Sequence, residues 1–191
     1  MNEHQFETLL SHIRALAQVR EQVVVAIEGG SASGKSTLAQ RLAEQLDCNV
    51  FHMDDFFLQP HQRTKERFLE PGGNVDRERF LSEVLLPLKG GAPFSYRVFD
   101  CGKMALGEWV QVTPKQVNIV EGAYCMHPLL REYYDFSVFM KIDPDTQSHR
   151  ILLRNGETWH KRFMNEWIPM EQKYFAELHV PESCTLVLEG V

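Results

Sequence analysis

The stretch 29–37 reads Gly-Gly-Ser-Ala-Ser-Gly-Lys-Ser-Thr, residue types whose spacing suits one task, the holding of phosphate. Gly29, Gly34, Lys35 and Ser36 occupy the fixed places of the phosphate-loop pattern G-x-x-x-x-G-K-[ST]. Gly29, Gly30 and Gly34 let successive backbone N–H groups turn inward as an anion-binding nest that also takes in Ser31, Ala32 and Ser33. Lys35 adds a point charge for the β- and γ-phosphates, the Ser36 hydroxyl is a ligand for Mg²⁺, and Thr37 follows in the first helical turn. A helix beginning here directs its positive end at the same place. A flexible Gly/Ser turn explains the glycines alone, but not a strand before them and a helix after. A bound nucleoside triphosphate, ATP or another, together with Mg²⁺, is the expectation.

Two acidic signals and one basic one lie downstream. Asp54-Asp55-Phe56-Phe57 follows a short apolar run, and carboxylates at such strand ends lie in the crevice where α/β proteins bind ligands. Adjacent acids alternate sides in an extended chain, so one of the two is expected to face the phosphates. The bland alternative is a solvated acidic turn. Residues 117–120 are apolar and end in Glu121-Gly122, the arrangement in which a carboxylate orients Mg²⁺ or its waters. Arg150 and Arg154 are one helical turn apart, with Lys161 and Arg162 shortly after. They suit a mobile lid that lays guanidinium groups on transferring phosphates, against the plainer reading of a solvated basic face.

These residues need elements to hold them. Residues 22–28 form a β-branched apolar run, as a buried parallel strand should, and 36–46 repeats apolar residues at helical spacing. Further strands are expected at 48–53, 117–120, 135–142 and 185–188, alternating with helices. That pattern predicts a three-layer α/β/α fold on a five-stranded parallel sheet. The amphipathic stretch 2–20 places Phe6, Leu9, Leu10, Ile13, Leu16 and Ala17 on one face, so it is expected to pack on the domain. Residues 59–74 read as a loop over the site, followed by a helix from Val75-Asp76 that stops at Pro87. Residues 91–113 alternate and read as a small hairpin, 94–101 with 108–112, forming a rim over a substrate. The span 145–165 is the expected helical lid.

Length and composition bound the rest. The 191 residues suit one domain, 1–191, and the net charge of −6 argues against a nucleic-acid surface. No run is long enough to cross a membrane and no signal-peptide pattern stands at the start, so a cytoplasmic protein with no membrane partner is expected. The four cysteines form no C-x-x-C pair and the eight histidines no metal-binding spacing, which favours reduced thiols over disulfides or zinc. A homo-oligomer is left open.

Taken together, the loop at 29–37, Asp54-Asp55-Phe56-Phe57, Ile119-Val120-Glu121-Gly122 and Asp143-Pro144-Asp145-Thr146 with Arg150 and Arg154 resemble the uridine kinase family of P-loop kinases. The resemblance runs from about Val23 to the C-terminus. It implies an ATP-dependent kinase acting on a small-molecule hydroxyl, most simply the 5′ hydroxyl of a ribonucleoside. By that resemblance Asp54 is the general base, and Ser36 and Glu121 hold Mg²⁺. Asp76 bonds the ribose hydroxyls, while Arg150, Arg154 and Arg162 belong to the lid. Phe56, Tyr96, Arg97 and Asp100 fall where the acceptor binds. One departure is plain: the family carries a base-reading histidine in the hairpin, whereas here the segment is Asp100-Cys101-Gly102-Lys103. A kinase of a non-nucleoside alcohol and a regulatory P-loop NTPase are the alternatives; against the latter, no Asn-Lys-x-Asp guanine-reading motif is present.

Overall fold

The computed structural model describes residues 2–189; the outermost residues of the expected domain span, 1 and 190–191, lie outside the described residues. The chain begins with α1 (Glu3–Val19), whose N-terminus is closed by a capping box between Asn2 and Gln5. β1 (Val23–Gly29) is buried along its whole length and runs into the phosphate loop, which leads to α2 (Lys35–Gln45). β2 (Cys48–His52) ends in a 3₁₀ turn, Met53–Phe56. The segment expected to be loop contains α3 (Lys65–Leu69), capped by the Thr64 hydroxyl accepting from the Arg67 N–H. Arg67 organises this segment. Its guanidinium donates to the Gly73 and Val75 carbonyls and to Glu78.

α4 (Arg77–Phe80) passes through a π-helical turn, Leu81–Leu85, into α5 (Leu86–Gly90). Pro87 was expected to stop this helix, and it does not. A proline ring collides with the carbonyl four residues earlier. The wider π turn just before it, in which the Leu86 N–H reaches back to the Leu81 carbonyl, carries the chain past that obstacle.

β3 (Phe94–Asp100) and β4 (Ala105–Val112) then make a separate antiparallel hairpin. Its second strand starts earlier than the expected 108. Asp100 Oδ1 accepts from the Gly102 and Lys103 N–H groups, and this tight turn lets pairing resume at Ala105. β5 (Val117–Glu121), α6 (Pro128–Arg131) and β6 (Phe136–Lys141) return to the main sheet. α7 (Pro144–Arg162), a π turn at Phe163–Trp167, α8 (Ile168–Glu177), α9 (Val180–Ser183) and β7 (Leu186–Glu189) complete the described chain.

The main sheet has the order β2-β5-β1-β6-β7, with every pairing parallel. β1 shows why three layers form. Val23, Val25 and Ile27 point to one face, where Phe6, Leu9, Leu10 and Ile13 of α1 meet Leu38 and Leu42 of α2. Val24 and Ala26 point to the other, into a larger cluster with Phe51, Phe80, Val84 and Tyr174. The period of two along one strand thus divides the core into two halves. Among the described residues no helix is long and apolar enough to cross a membrane.

Candidate active site

The phosphate loop leaves the C-terminal end of the central strand, so its neighbours are the ends of β5 and β2. Gly34 has φ 97° and stands at the N-cap of α2. The Lys35 ammonium donates to the Gly30 carbonyl at 2.8 Å. Ser36 Oγ donates to Glu121 Oε1 at 3.1 Å, which joins the end of the loop to the end of β5. The same carboxylate oxygen lies 2.6 Å from His52 Nδ1, and that bond raises the imidazole's affinity for its proton. His52, at the end of β2, was not anticipated from the sequence.

The two adjacent acids separate as expected, although not by strand alternation, because Met53–Phe56 is a 3₁₀ turn. Asp55 turns toward the hairpin, where Tyr96 donates to its Oδ2 at 3.2 Å. Asp54 reaches the surface inside the cleft, crowded by the surrounding protein, and accepts no hydrogen bond among the described residues. Loss of water around it raises its carboxyl above the usual range; the Lys35 ammonium opposes this, and Glu121 and Asp55 add to it. A free carboxylate with a raised proton affinity beside the phosphate lysine has the properties of a general base.

Four expected substrate contacts sit elsewhere than anticipated. Phe56 is fully buried, stacked on Tyr96 at 5.3 Å and edge-on to Phe80, with the Arg79 guanidinium over its face, so it supports the site from below. Asp76 is buried as the N-cap of α4: its Oδ1 accepts from the Arg79 N–H, and its Oδ2 lies 3.6 Å from Arg79 Nε. Arg97 donates to the Leu106 and Gly107 carbonyls, and Asp100 closes the hairpin turn and pairs with Lys103. Arg97 and Asp100 are committed within the hairpin because its irregular register leaves carbonyls and turn N–H groups to satisfy. Tyr96, bonded to Asp55, is the hairpin residue that reaches the acidic end of β2.

The lid arginines divide as well. Arg150 donates to the Ala32 carbonyl of the phosphate loop at 3.3 Å. Arg154 instead bonds its neighbour Asn155 and lies over the Phe163 ring. Arg162 pairs with Glu166 and packs against Trp159 and Trp167. The expectation that Arg150 and Arg154 reach the phosphates together is not met in this arrangement. Both precede Gly156, whose φ of 76° and ψ of 172° are non-helical; the turn there brings the following segment back so that the Phe163 ring meets Arg154, while Arg150, one turn nearer the loop, is left to the Ala32 carbonyl.

Three buried residues hold the loop from behind, and none was singled out from the sequence. Glu28, the last residue before Gly29, accepts from the Gly29, Tyr124 and Met126 N–H groups and from the Tyr174 hydroxyl. A signal existed: a carboxylate closing an otherwise apolar strand next to a phosphate loop. Glu171 accepts from both the N–H and the hydroxyl of Ser31, and Gln147 donates to the Ser31 carbonyl. No local pattern marks either, since each acts more than a hundred residues from its partner. Ser33, between Ala32 and Gly34, has a buried hydroxyl with no hydrogen-bond partner among the described residues.

No family model matches the chain. Its fold has a solved counterpart in a protein described as a possible uridine kinase from Bacillus stearothermophilus, with a TM-score of 0.68 over 95% of this chain and all of that one at 22% identity. The molecule is therefore a P-loop protein of the three-layer α/β/α kind, with its phosphate loop at the end of the central strand. Among curated relatives, the uridine kinase of Shewanella piezotolerans is 34% identical over 151 residues, covering 71% of this chain and 70% of that protein. The uridine kinase of Clostridium perfringens is 25% identical over 187 residues, covering 86% and 89%. The chain belongs to the uridine kinase family.

Proposed function

We propose that this protein is an ATP-dependent kinase that transfers the γ-phosphoryl group to an acceptor hydroxyl, the 5′ hydroxyl of a ribonucleoside. The reading rests on one observation above others. Ser36 Oγ and Glu121 Oε1 meet at 3.1 Å at the end of a phosphate loop, with an uncommitted carboxylate, Asp54, in the field of Lys35. The curated relatives named uridine kinase support the acceptor class.

In this reading the loop N–H groups and Lys35 hold the triphosphate, and Asp54 removes the proton of the acceptor hydroxyl. The freed oxygen bonds to the γ-phosphorus while the bond to the β–γ bridging oxygen breaks and ADP departs. Arg150, already at the loop, offsets negative charge on the transferring group. The donor set also fits magnesium: one hydroxyl and one carboxylate are hard oxygen ligands, and P-loop sites complete the shell with phosphate oxygens and water. Ser36 and Glu121 would hold Mg²⁺, which when bound neutralises charge on the β- and γ-oxygens. The domain reading of one catalytic unit, with the hairpin as rim and 145–165 as lid, belongs to the same proposal.

A second reading, a non-nucleoside alcohol as acceptor, is favoured by one feature. The hairpin carries no histidine, and its Arg97, Asp100 and Lys103 bond within the hairpin. The test is ADP release over a panel of uridine, cytidine, nicotinamide riboside, their 2′-deoxy forms and alcohols such as pantothenate. Turnover with ribonucleosides supports the first reading; turnover only with a non-nucleoside moves the assignment to the second.

A further inference from the structure

The phosphate loop is gripped from outside at its first half. Glu171 of α8, itself buried, binds Ser31 with both oxygens, Oε1 to the hydroxyl at 2.6 Å and Oε2 to the N–H at 3.0 Å. Gln147 of α7, also buried, donates to the Ser31 carbonyl at 2.9 Å, and Arg150 of the same helix reaches the Ala32 carbonyl. The approach is close. A Cβ at Gly30 would stand 2.8 Å from Gln147 Nε2 and 3.3 Å from Glu171 Oε2, so a side chain there would press on the two groups that hold Ser31. One turn after Glu171, Tyr174 donates to Glu28 at the other end of the same loop segment.

From the first half of α7 the chain turns at Gly156, passes through the Trp159–Trp167 aromatic cluster and continues into α8, so both helices that hold Ser31 flank this segment. The Ser31 N–H and hydroxyl therefore face a carboxylate at the base of this excursion. They are turned away from the task the sequence suggested for Ser31, direct phosphate contact.

We propose that Glu171 is a positioning residue: through its two-pronged hold on Ser31 it fixes Gly30–Ala32 in the shape that binds nucleotide and ties that shape to the base of the lid. The inference rests on the kinase reading for its purpose, yet it concerns nucleotide binding alone and is tested without an acceptor. Glutamine at 171 keeps the size of the side chain but removes its charge: its carbonyl still accepts from the Ser31 N–H, while its N–H₂ can only donate to Ser31 Oγ, reversing that bond. Loss of charge assistance from both bonds corresponds to about a tenfold effect on what they support.

The experiment is calorimetric titration of Mg·ATP into wild type, Glu171→Gln, Ser31→Ala and the double variant, well below each melting temperature. ATP affinity is expected to fall about tenfold in Glu171→Gln and at least threefold in Ser31→Ala. The double variant should be no weaker than Glu171→Gln within twofold, because the two side chains act through one contact. A purely structural contact would lower the melting temperature and leave the affinity of the folded protein unchanged. Affinity within twofold of wild type in Ser31→Ala, or losses that multiply in the double variant, would overturn the proposal. Ser31→Ala decides the matter even if Glu171→Gln does not fold. Failure of acceptor turnover with intact ATP binding would count against the kinase reading and leave this one standing.

Discussion

Replacing Glu28 with glutamine should change how stability depends on pH. Both carboxylate oxygens are fully engaged: Oε1 by the Gly29 and Tyr124 N–H groups, Oε2 by the Met126 N–H and the Tyr174 hydroxyl. Burial nonetheless dominates and pushes the pKa from 4.5 up to about 7, against the opposing pull of the Met126 and Gly29 N–H groups, Lys35 and Tyr174. Between those two pH values the folded protein holds a proton that the unfolded chain releases. Stability from this group is therefore complete below pH 4.5 and is lost as pH rises through about 7. At about 1.4 kcal/mol per pKa unit, the loss is roughly 3 kcal/mol. The neighbouring Cys125, Tyr134 and Tyr174 are pushed upward by burial and stay neutral over this range.

Glu28→Gln does not titrate, and its amide turns two hydrogens toward these donors, where the protonated wild-type carboxyl turns one and keeps lone pairs on the same oxygen, a difference costing about 1–3 kcal/mol. The variant should thus be clearly less stable than wild type at pH 5, and the gap should narrow by roughly 3 kcal/mol by pH 8. Urea melts of both proteins at four pH values give that difference directly, with titrations elsewhere cancelling. A gap that stays constant with pH, or widens as pH rises, would refute the reasoning.

Asp54→Asn should lower kcat by roughly 10²–10⁴ while Asp55→Asn, whose partner is Tyr96, costs far less; the reverse order in steady-state kinetics would shift the base by one residue. Arg150→Gln should depress kcat more than Arg154→Gln, since Arg150 alone touches the loop, and equal losses would mean that the lid rearranges to bring both to the phosphates. Asp76→Ala should destabilise the fold by about 2–3 kcal/mol, because it removes the α4 cap and one of the two carboxylates beside the buried Arg79, the other being Glu83 at 3.1 Å; a thermal melt unchanged from wild type would show that Arg79 is satisfied by Glu83 and backbone carbonyls alone.

The parts of the site that a reader of the sequence finds are those whose chemistry is local. Gly29 to Thr37 carries its whole meaning in nine consecutive residues, and the β-branched run before it has the signature of a strand buried on both faces. Glu121 closes an apolar strand, and register with β1 then brings it to Ser36. What stays hidden is set by partners far along the chain. Nothing near Glu171 or Gln147 indicates that they converge on Ser31. Arg97 and Asp100 have types that suit a polar pocket, and only the paired hairpin shows them bonding to its own backbone. Pro87 reads as a stop because its effect is usually local, yet a π turn upstream absorbs it. Gly156 marks a break inside α7 that an uninterrupted helical pattern conceals.

The most direct test of the central claim follows the phosphoryl group itself. ATP labelled at the γ-phosphate, incubated with protein, Mg²⁺ and uridine or another ribonucleoside, should yield labelled nucleoside 5′-monophosphate and ADP in equal amounts. Label should not reach inorganic phosphate at a comparable rate, and omission of the acceptor should nearly abolish ADP formation. Label accumulating as inorganic phosphate at the same rate with and without acceptor would contradict the assignment, because Asp54 would then serve water and the site would be that of a hydrolase.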